Sequence, residues 1–272
     1  MKDIKAKILF NEEIGLSYFK MELRAPEIAQ IAQPGQFVQV RCTNTLDPLL
    51  RRPFSVHRVR SLQSIEILYE IVGRGTEILA KRKEGEFIDV LGPLGNGFTI
   101  PSEVEGRTPI LIAGGIGVAP LVFLAEKLRE IRNPKSKIQI IVLLGAKTKE
   151  SILCEKDFKK IGAEVHIATD DGTRGYNGFV SELFKRILRT THHASRTTIY
   201  ACGPHPMLRE IAEISKEKNL DCQVSVEEKM ACGIGTCLGC AVKVIRRGGE
   251  EFIYKLACKD GPVFDAEEII WD

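Results

Sequence analysis

The sequence predicts a multidomain β plus α/β protein. An antiparallel barrel of the six-stranded type comes first, a parallel α/β domain second, and a small cysteine-bearing subdomain last. Three observations carry that expectation. Short apolar runs separated by turn residues fill positions 1–100. Strand and helix patterns alternate through residues 101–226. Four of the eight cysteines then fall within residues 227–272.

In the first region FKMEL, QFVQVRC, FSVHRV, SIEILYEIV and EFIDVLG are broken by turn signals such as QPGQ and KEGE. Many short strands at this spacing predict a small antiparallel barrel. IVGRGTEILAKRK is expected to hold the region's one short helix.

In the second region TPILIAGG is an apolar strand running into glycines, and PLVFLAEKLREI has helical spacing with charges on its outer face. KIQIIVLLGA, AEVHIATDDG and TTIYACG repeat the strand pattern. ESILCEKDFKKIG, FVSELFKRILRT and HPMLREIAEISKEKN repeat the helical one. Four strand–helix alternations predict a Rossmann-like parallel sheet with helices on both faces. In the last region AVKVIRRGGEEFIYKLAC reads as a hairpin turning at RRGGE.

Composition narrows the function classes. The chain has 272 residues, 44% hydrophobic and 28% charged, which suits two compact domains and an appendage. The net charge of +3 is spread without a basic block, which argues against a nucleic-acid partner. The N-terminal MKDIKAKILF is charged and lacks the apolar core of a signal peptide. Pro109 to Ala125 carries no charge, but it holds three glycines and an internal proline. It also falls short of the roughly 20 residues a bilayer requires, so no membrane span is expected. A reducing cytoplasm is the expected location, with clustered cysteines used for metal.

Those cysteines are spaced Cys232-x4-Cys237-x2-Cys240, with Cys258 after seventeen intervening residues. This is the plant-type ligand pattern of a [2Fe–2S] cluster. Two irons and two sulfides need four thiolates on a compact object, so one loop must wrap tightly around it. Gly233, Gly235 and Gly239 permit backbone angles that other residues resist, and let N–H groups approach the sulfurs. Structural zinc usually takes two short Cys pairs, and one is present here. A redox pair of Cys237 and Cys240 would leave Cys232 and the glycines unexplained. Cys42, Cys154, Cys202 and Cys222 are expected to be small buried apolar residues.

LIAGGIGVAPL places Gly114, Gly115 and Gly117 between a strand and a helix, with Pro120 in the first helical turn. Such a turn can seat a pyrophosphate on a helix N-terminus, or can simply be tight packing. The spacing departs from Gly-x-Gly-x-x-Gly. Cys202, Gly203 and Pro204 in YACGPHPM, and the loop TDDGTRGYNG, end two other strands on the same rim. Lys147 and Lys149 could meet the 2′-phosphate of NADP, and no acidic residue stands plainly in the ribose position of an NAD site.

LRRPFSV, GRGT, GPLGNGF, AGGIGVAPL and YACGP occur in that order. The series resembles the ferredoxin–NADP reductase superfamily. The resemblance implies that Arg52, Pro53, Phe54 and Ser55 hold FAD, with Arg52 on the phosphates and Ser55 near the reactive flavin nitrogen. It implies that Leu68, Tyr69 and Glu70 lie along the cofactor, and that Gly75 and Thr76 take its pyrophosphate. The turns at Gly114, Gly115 and Gly117 and at Cys202, Gly203 and Pro204 would bind NAD.

With EEKMACGIGTCLGCAVKV and ACKDGPVFD added, the whole chain resembles electron-transfer subunits of NAD-linked, type B dihydroorotate dehydrogenase. That resemblance implies a role in pyrimidine biosynthesis and an FMN-containing catalytic partner, assembled as a heterotetramer of two of each. Electrons would pass from that FMN to the cluster on Cys232, Cys237, Cys240 and Cys258, then to FAD, then as hydride to NAD⁺. FAD must stand between the cluster and NAD because it exchanges both single electrons and hydrides. Dihydroorotate oxidation itself would fall to the partner, and no residue here is expected to be catalytic. A related family, the small subunits of NADH-dependent ferredoxin:NADP oxidoreductase and sulfide dehydrogenase, typically carries an aspartate in the first-ligand region. The four cysteines here favour the dihydroorotate family. A stand-alone iron–sulfur flavoprotein reductase and a zinc-stabilised nucleotide sensor are the other readings.

Overall fold

The computed structural model describes residues 1–101, 108–130, 139–190, 197–245 and 251–271. The first region holds β1 (Lys2–Gly15), β2 (Tyr18–Arg24), α1 (Pro26–Ala29), β3 (Phe37–Val40), β4 (Arg52–Arg60), β5 (Ser64–Glu70), α2 (Arg74–Ala80) and β6 (Phe87–Leu94). The six strands close into a barrel in the order β1-β2-β5-β4-β3-β6, every pairing antiparallel. Ile8, Met21, Leu23, Val38, Val56, Ile65, Ile67 and Tyr69 fill it. The single short helix expected here is joined by a second, α1, which is one turn long. Four residues are too few to show a helical period, which is why the pattern did not reveal it.

The second region holds β7 (Thr108–Gly114), α3 (Ala119–Glu130), β8 (Ile141–Ala146), α4 (Glu155–Ile161), β9 (Glu164–Thr169), β10 (Tyr176–Asn177), α5 (Val180–Thr190), β11 (Thr197–Cys202), α6 (His205–Glu217) and β12 (Asp221–Ser225). The last part adds β13 (Ala241–Ile245), β14 (Phe252–Leu256) and β15 (Val263–Asp265). Strands β13 and β14 pair antiparallel as the expected hairpin; its turn residues, 246–250, lie outside the described residues.

The larger sheet runs β10-β9-β8-β7-β11-β12-β15. It is parallel except for β15, which pairs antiparallel with β12. Four alternations were expected; β12 and β15 extend that sheet at one edge. Residues alternate across it, so Leu111 and Val142 face α3 and α4, while Ile110, Ile112 and Leu143 face α5 and α6. Helix α4 starts later than ESILCEKDFKKIG suggested. Lys149–Ser151 form a separate 3-10 turn, and Cys154, at φ 58°, breaks the backbone before Glu155. That positive φ is unusual for a non-glycine residue.

The three parts share their cores. Phe37 and Leu94 of the barrel pack in one cluster with Leu208 and Ile211 of α6 and with Cys240, Val242 and Cys258. Leu68 of β5 packs with Val118, Leu121 and Val122 around α3. Among the described residues no helix is long and apolar enough to cross a membrane.

Candidate functional site

The four clustered cysteines come together where the loop before β13 meets the turn after β14. The backbone N–H groups of Ile234, Thr236 and Cys237 donate to Cys232 Sγ at 3.5, 3.4 and 3.4 Å. Gly235 N donates to Cys258 Sγ at 3.1 Å, and Cys258 N to Cys240 Sγ at 3.4 Å. A chain that turns its amides onto its own sulfurs has built acceptor sites for thiolates. Gly233 at φ +73° and Gly235 at φ +81° allow the wrap. Gly239 does not take the left-handed conformation expected of it; Leu238 does, at φ 60°, and costs roughly 1–2 kcal/mol.

Burial raises the Cys232 thiol, but the amides of Ile234, Cys237 and Thr236 outweigh that and bring it down to about 6. Burial and the Cys240 thiol beside it push Cys258 up to about 12. The set therefore resists full ionisation without a compensating cation, which iron would supply. Among the described residues no three His, Cys, Asp or Glu side chains converge on one ion. Of the four remaining cysteines, expected to be buried, Cys42 and Cys222 are, while Cys154 and Cys202 are half-buried. Burial raises Cys42, and drives Cys154, Cys202 and Cys222 up to about 12.

The expected flavin residues lie on and around β4. Phe54 and Val56 point into the barrel core, so Pro53, Ser55 and His57 lie on its outer face. On β3, Val38 and Val40 point inward, leaving Phe37 and Gln39 outside, opposite Ser55 and Pro53. Arg52 Nη1 donates to Leu50 O at 2.8 Å, and its Nε lies 3.0 Å from where a Cβ on Gly75 would sit. A guanidinium thus lies over the first turn of α2, a fit for phosphate charge. The Thr76 hydroxyl accepts from Val72 N at 3.0 Å and Gly73 N at 3.3 Å and donates to Gly73 O at 2.9 Å, so it shapes that turn. Tyr69 faces the barrel interior, donates to Asn11 Oδ1 at 2.8 Å, and stacks on Phe19. Leu68 faces α3. Phe54, Leu68 and Tyr69 are therefore left with backbone atoms to offer a ligand, while Glu70, half-buried at the end of β5, keeps its side chain.

The nucleotide turns end β7 and β11. Strand order reverses between these two neighbours, since β8 follows on one side and β12 on the other. A crevice at such a reversal is where open α/β sheets take ligands. Most glycines there serve packing. A Cβ on Gly117 would sit 2.3 Å from Cys202 O, one on Gly114 2.6 Å from Met207 Sδ, and one on Gly203 2.6 Å from Met207 Cε. Pro204 closes the same contact against Gly114. Gly115, at φ +53°, has nothing within 4 Å and is the open position. Lys149 is tied to the TDDGTRGYNG loop through its N–H to Thr173 Oγ1 at 2.9 Å.

Two features went unread in the sequence. Asn96, in GPLGNGF, donates from Nδ2 to Lys259 O and Asp260 O at 3.2 and 3.0 Å, tying the barrel to the turn that bears Cys258. Gln39 is fully buried, with neither amide atom partnered. The only sign of it was a polar residue within an apolar run, QFVQV.

Residues 227–270 match the family described as the iron-sulfur cluster binding domain of dihydroorotate dehydrogenase B, and residues 111–213 the oxidoreductase NAD-binding domain. The chain is 46% identical to the dihydroorotate dehydrogenase B (NAD(+)), electron transfer subunit of Desulforamulus reducens, over 100% of this chain and 99% of that one. It is 39% identical to the protein of the same name from Caldanaerobacter subterraneus subsp. tengcongensis, over 98% of each. A solved NADH-dependent reduced ferredoxin–NADP oxidoreductase, described for flavin-based electron bifurcation, aligns at TM-score 0.83 and 29% identity, over 99% of this chain and 91% of that one. A ferredoxin NADP⁺ reductase from Neisseria gonorrhoeae with bound FAD and NADP aligns at TM-score 0.65 and 17% identity, over 80% and 92%, and speaks to fold alone. The chain belongs to the family of electron-transfer subunits of NAD⁺-dependent dihydroorotate dehydrogenase B.

Proposed function

We propose that this chain carries electrons from an FMN-containing dihydroorotate-oxidising partner to NAD⁺, in a heterotetramer of two of each subunit. The observation that carries the reading is the seating of the cysteine loop on the outer face of β3, at Phe37 and Gln39, where Phe37 pairs with Ser55 of β4. When bound, FAD exchanges hydride with NAD and single electrons with an iron–sulfur cluster, so the chain needs sites for all three. Cys232, Cys237, Cys240 and Cys258 hold the cluster. Arg52 neutralises the FAD phosphates above the α2 turn that Thr76 shapes around Gly75. Pro53 and Ser55 line the flavin wall, with the backbone of Phe54, Leu68 and Tyr69 and the exposed part of Glu70 beside it. The crevice between the β7 and β11 turns takes NAD, with Gly115 as the open approach and Gly114, Gly117, Cys202, Gly203 and Pro204 holding the turns together.

The partner docks on the cysteine loop and hairpin. Leu238 and Tyr254 are 66% and 64% exposed there, with Ile234 and Phe252 also bare. Apolar side chains of this size are costly to leave in water without a partner. A reducing cytoplasm is the proposed location, where clustered cysteines are available as metal ligands rather than lost to disulfides.

The test is dihydroorotate-dependent NAD⁺ reduction by the cofactor-loaded chain, alone and with the separately purified FMN subunit from the same source. NADH formed only by the pair supports the reading. A loaded, assembled pair that forms no NADH refutes it. The structural likeness to the ferredoxin–NADP oxidoreductase favours ferredoxin as the donor to try next.

A further inference from the structure

Gln39 sits in the middle of β3 with no exposed surface. Neither its Nε2 nor its Oε1 has a hydrogen-bond partner. A buried amide left in that state costs roughly 1–3 kcal/mol. An apolar side chain of the same length would fill the volume without the cost, so the carboxamide needs a partner that the protein itself does not provide.

Its position says where that partner is. Gln39 pairs with Pro53 on one side and Leu91 on the other. It points away from the barrel core, on the outer face that carries Phe37 and Ser55. From there it runs against Gly233, the residue after Cys232. A Cβ at Gly233 would meet Gln39 Nε2 at 2.6 Å and Cγ at 2.7 Å. The glycine thus gives the amide room to lie against the cysteine loop. The nitrogen end, the donating end, is the nearest part of the side chain to it.

We infer that Gln39 Nε2–H donates a hydrogen bond to sulfur on the Cys232 side of the cluster, and so raises the cluster's reduction potential. This rests on the cluster assignment above. A hydrogen bond to sulfur favours the more negatively charged, reduced state. The amide touches the cluster's sulfur without ligating iron, between the flavin wall and the cysteine loop, where an electron must pass.

The test is a potentiometric titration of the cofactor-loaded chain, reading the cluster by EPR and the flavin by absorbance. In Gln39→Met, which keeps length but cannot donate, the cluster's reduced-to-oxidised ratio at fixed potential falls about tenfold, a shift of about 59 mV for one electron. Gln39→Leu likewise removes the donor and lowers the ratio by a similar factor. The flavin midpoint stays where it was. A cluster midpoint unmoved in both variants overturns the inference, and so does a shift confined to the flavin. A second reading needs no variant. Pulsed EPR on the reduced wild-type chain carrying ¹⁵N-glutamine detects coupling to a side-chain nitrogen; no coupling overturns the inference. A wild-type chain that takes up no cluster refutes the underlying assignment, and shows it before any substitution is made.

Discussion

The barrel meets the rest of the molecule along two seams, and they are built differently. Against α3 and α4 the contact is locked by charge. Arg58, buried in β4, places Nε 2.7 Å from Glu126, Nη2 3.2 Å from Asp157 and Nη1 3.5 Å from Glu66. His57 Nδ1 bonds Ala119 O at 2.8 Å beside it. Against the cysteine loop the contact is made by glycines, by Asn96 and by Gln39. Gly233 yields to Gln39, and a Cβ on Gly95 would sit 2.5 Å from Gly261 O. The first seam has its counter-charges in the chain itself. The second turns five N–H groups onto sulfur and buries the Gln39 amide without a partner, where the first leaves His57 Nε2 in that state. A seam of paired charges holds parts together; a seam of amides turned onto thiols suits a cluster bound between them.

Breaking the charged seam should have the largest effect on stability. Arg58→Met leaves the buried Glu66 carboxylate with Arg60 alone, at 2.7 Å, and strips Glu126 and Asp157 of the Arg58 charge. The expected loss is about 3–5 kcal/mol in denaturant unfolding. The cluster's absorbance and midpoint stay unchanged, because nothing in this seam touches the cysteine loop. A shifted midpoint would show that the two seams are coupled.

Acid should attack the same seam. Burial drives the His57 pKa down to about 4, against 6.5 when exposed. Below pH 6.5 the unfolded chain binds a proton that the folded one refuses. Its contribution is present above pH 6.5 and is lost progressively as pH falls toward 4, reaching roughly 3 kcal/mol. His57→Gln, measured over the same range, should lose that part of the slope. An unchanged slope would place the proton elsewhere.

Two glycine substitutions sharpen the contrast at smaller cost. Gly233→Ala adds a methyl where Gln39 already lies, at φ +73°, and should cost about 2 kcal/mol and disturb cluster loading. Gly115→Ala meets nothing within 4 Å. It should cost about 1 kcal/mol through its positive φ alone, while raising KM for NAD. Equal losses at both sites, with loading and KM untouched, would erase the distinction between a packed and an open glycine.

How much of this the sequence carries depends on the kind of constraint. The barrel and the parallel sheet announce themselves through periodicity, because each strand must hide one face or two. The cysteine spacing is legible because a small inorganic object leaves a chain few ways to surround it. The glycines of AGGIG and CGP read ambiguously, since a residue chosen for lack of a side chain looks the same whether a ligand or Met207 takes the space. Leu238 in the left-handed region, β15 at the sheet edge and α1 are too short or too local for any pattern. Gln39 and Arg58 were invisible for a different reason. Their meaning lies in what faces them from residues far along the chain, Gly233 and Glu126.

On the proposed function, the cysteine loop and the flavin wall form one working seam within this chain. It is tested most directly without the partner. The fully loaded chain is reduced anaerobically with dithionite, freed of excess reductant and mixed with NAD⁺, while the cluster's EPR signal and NADH absorbance are followed together. The cluster signal should decay in step with NADH formation. NADH drawn from the flavin alone, with the reduced cluster persisting, would contradict it.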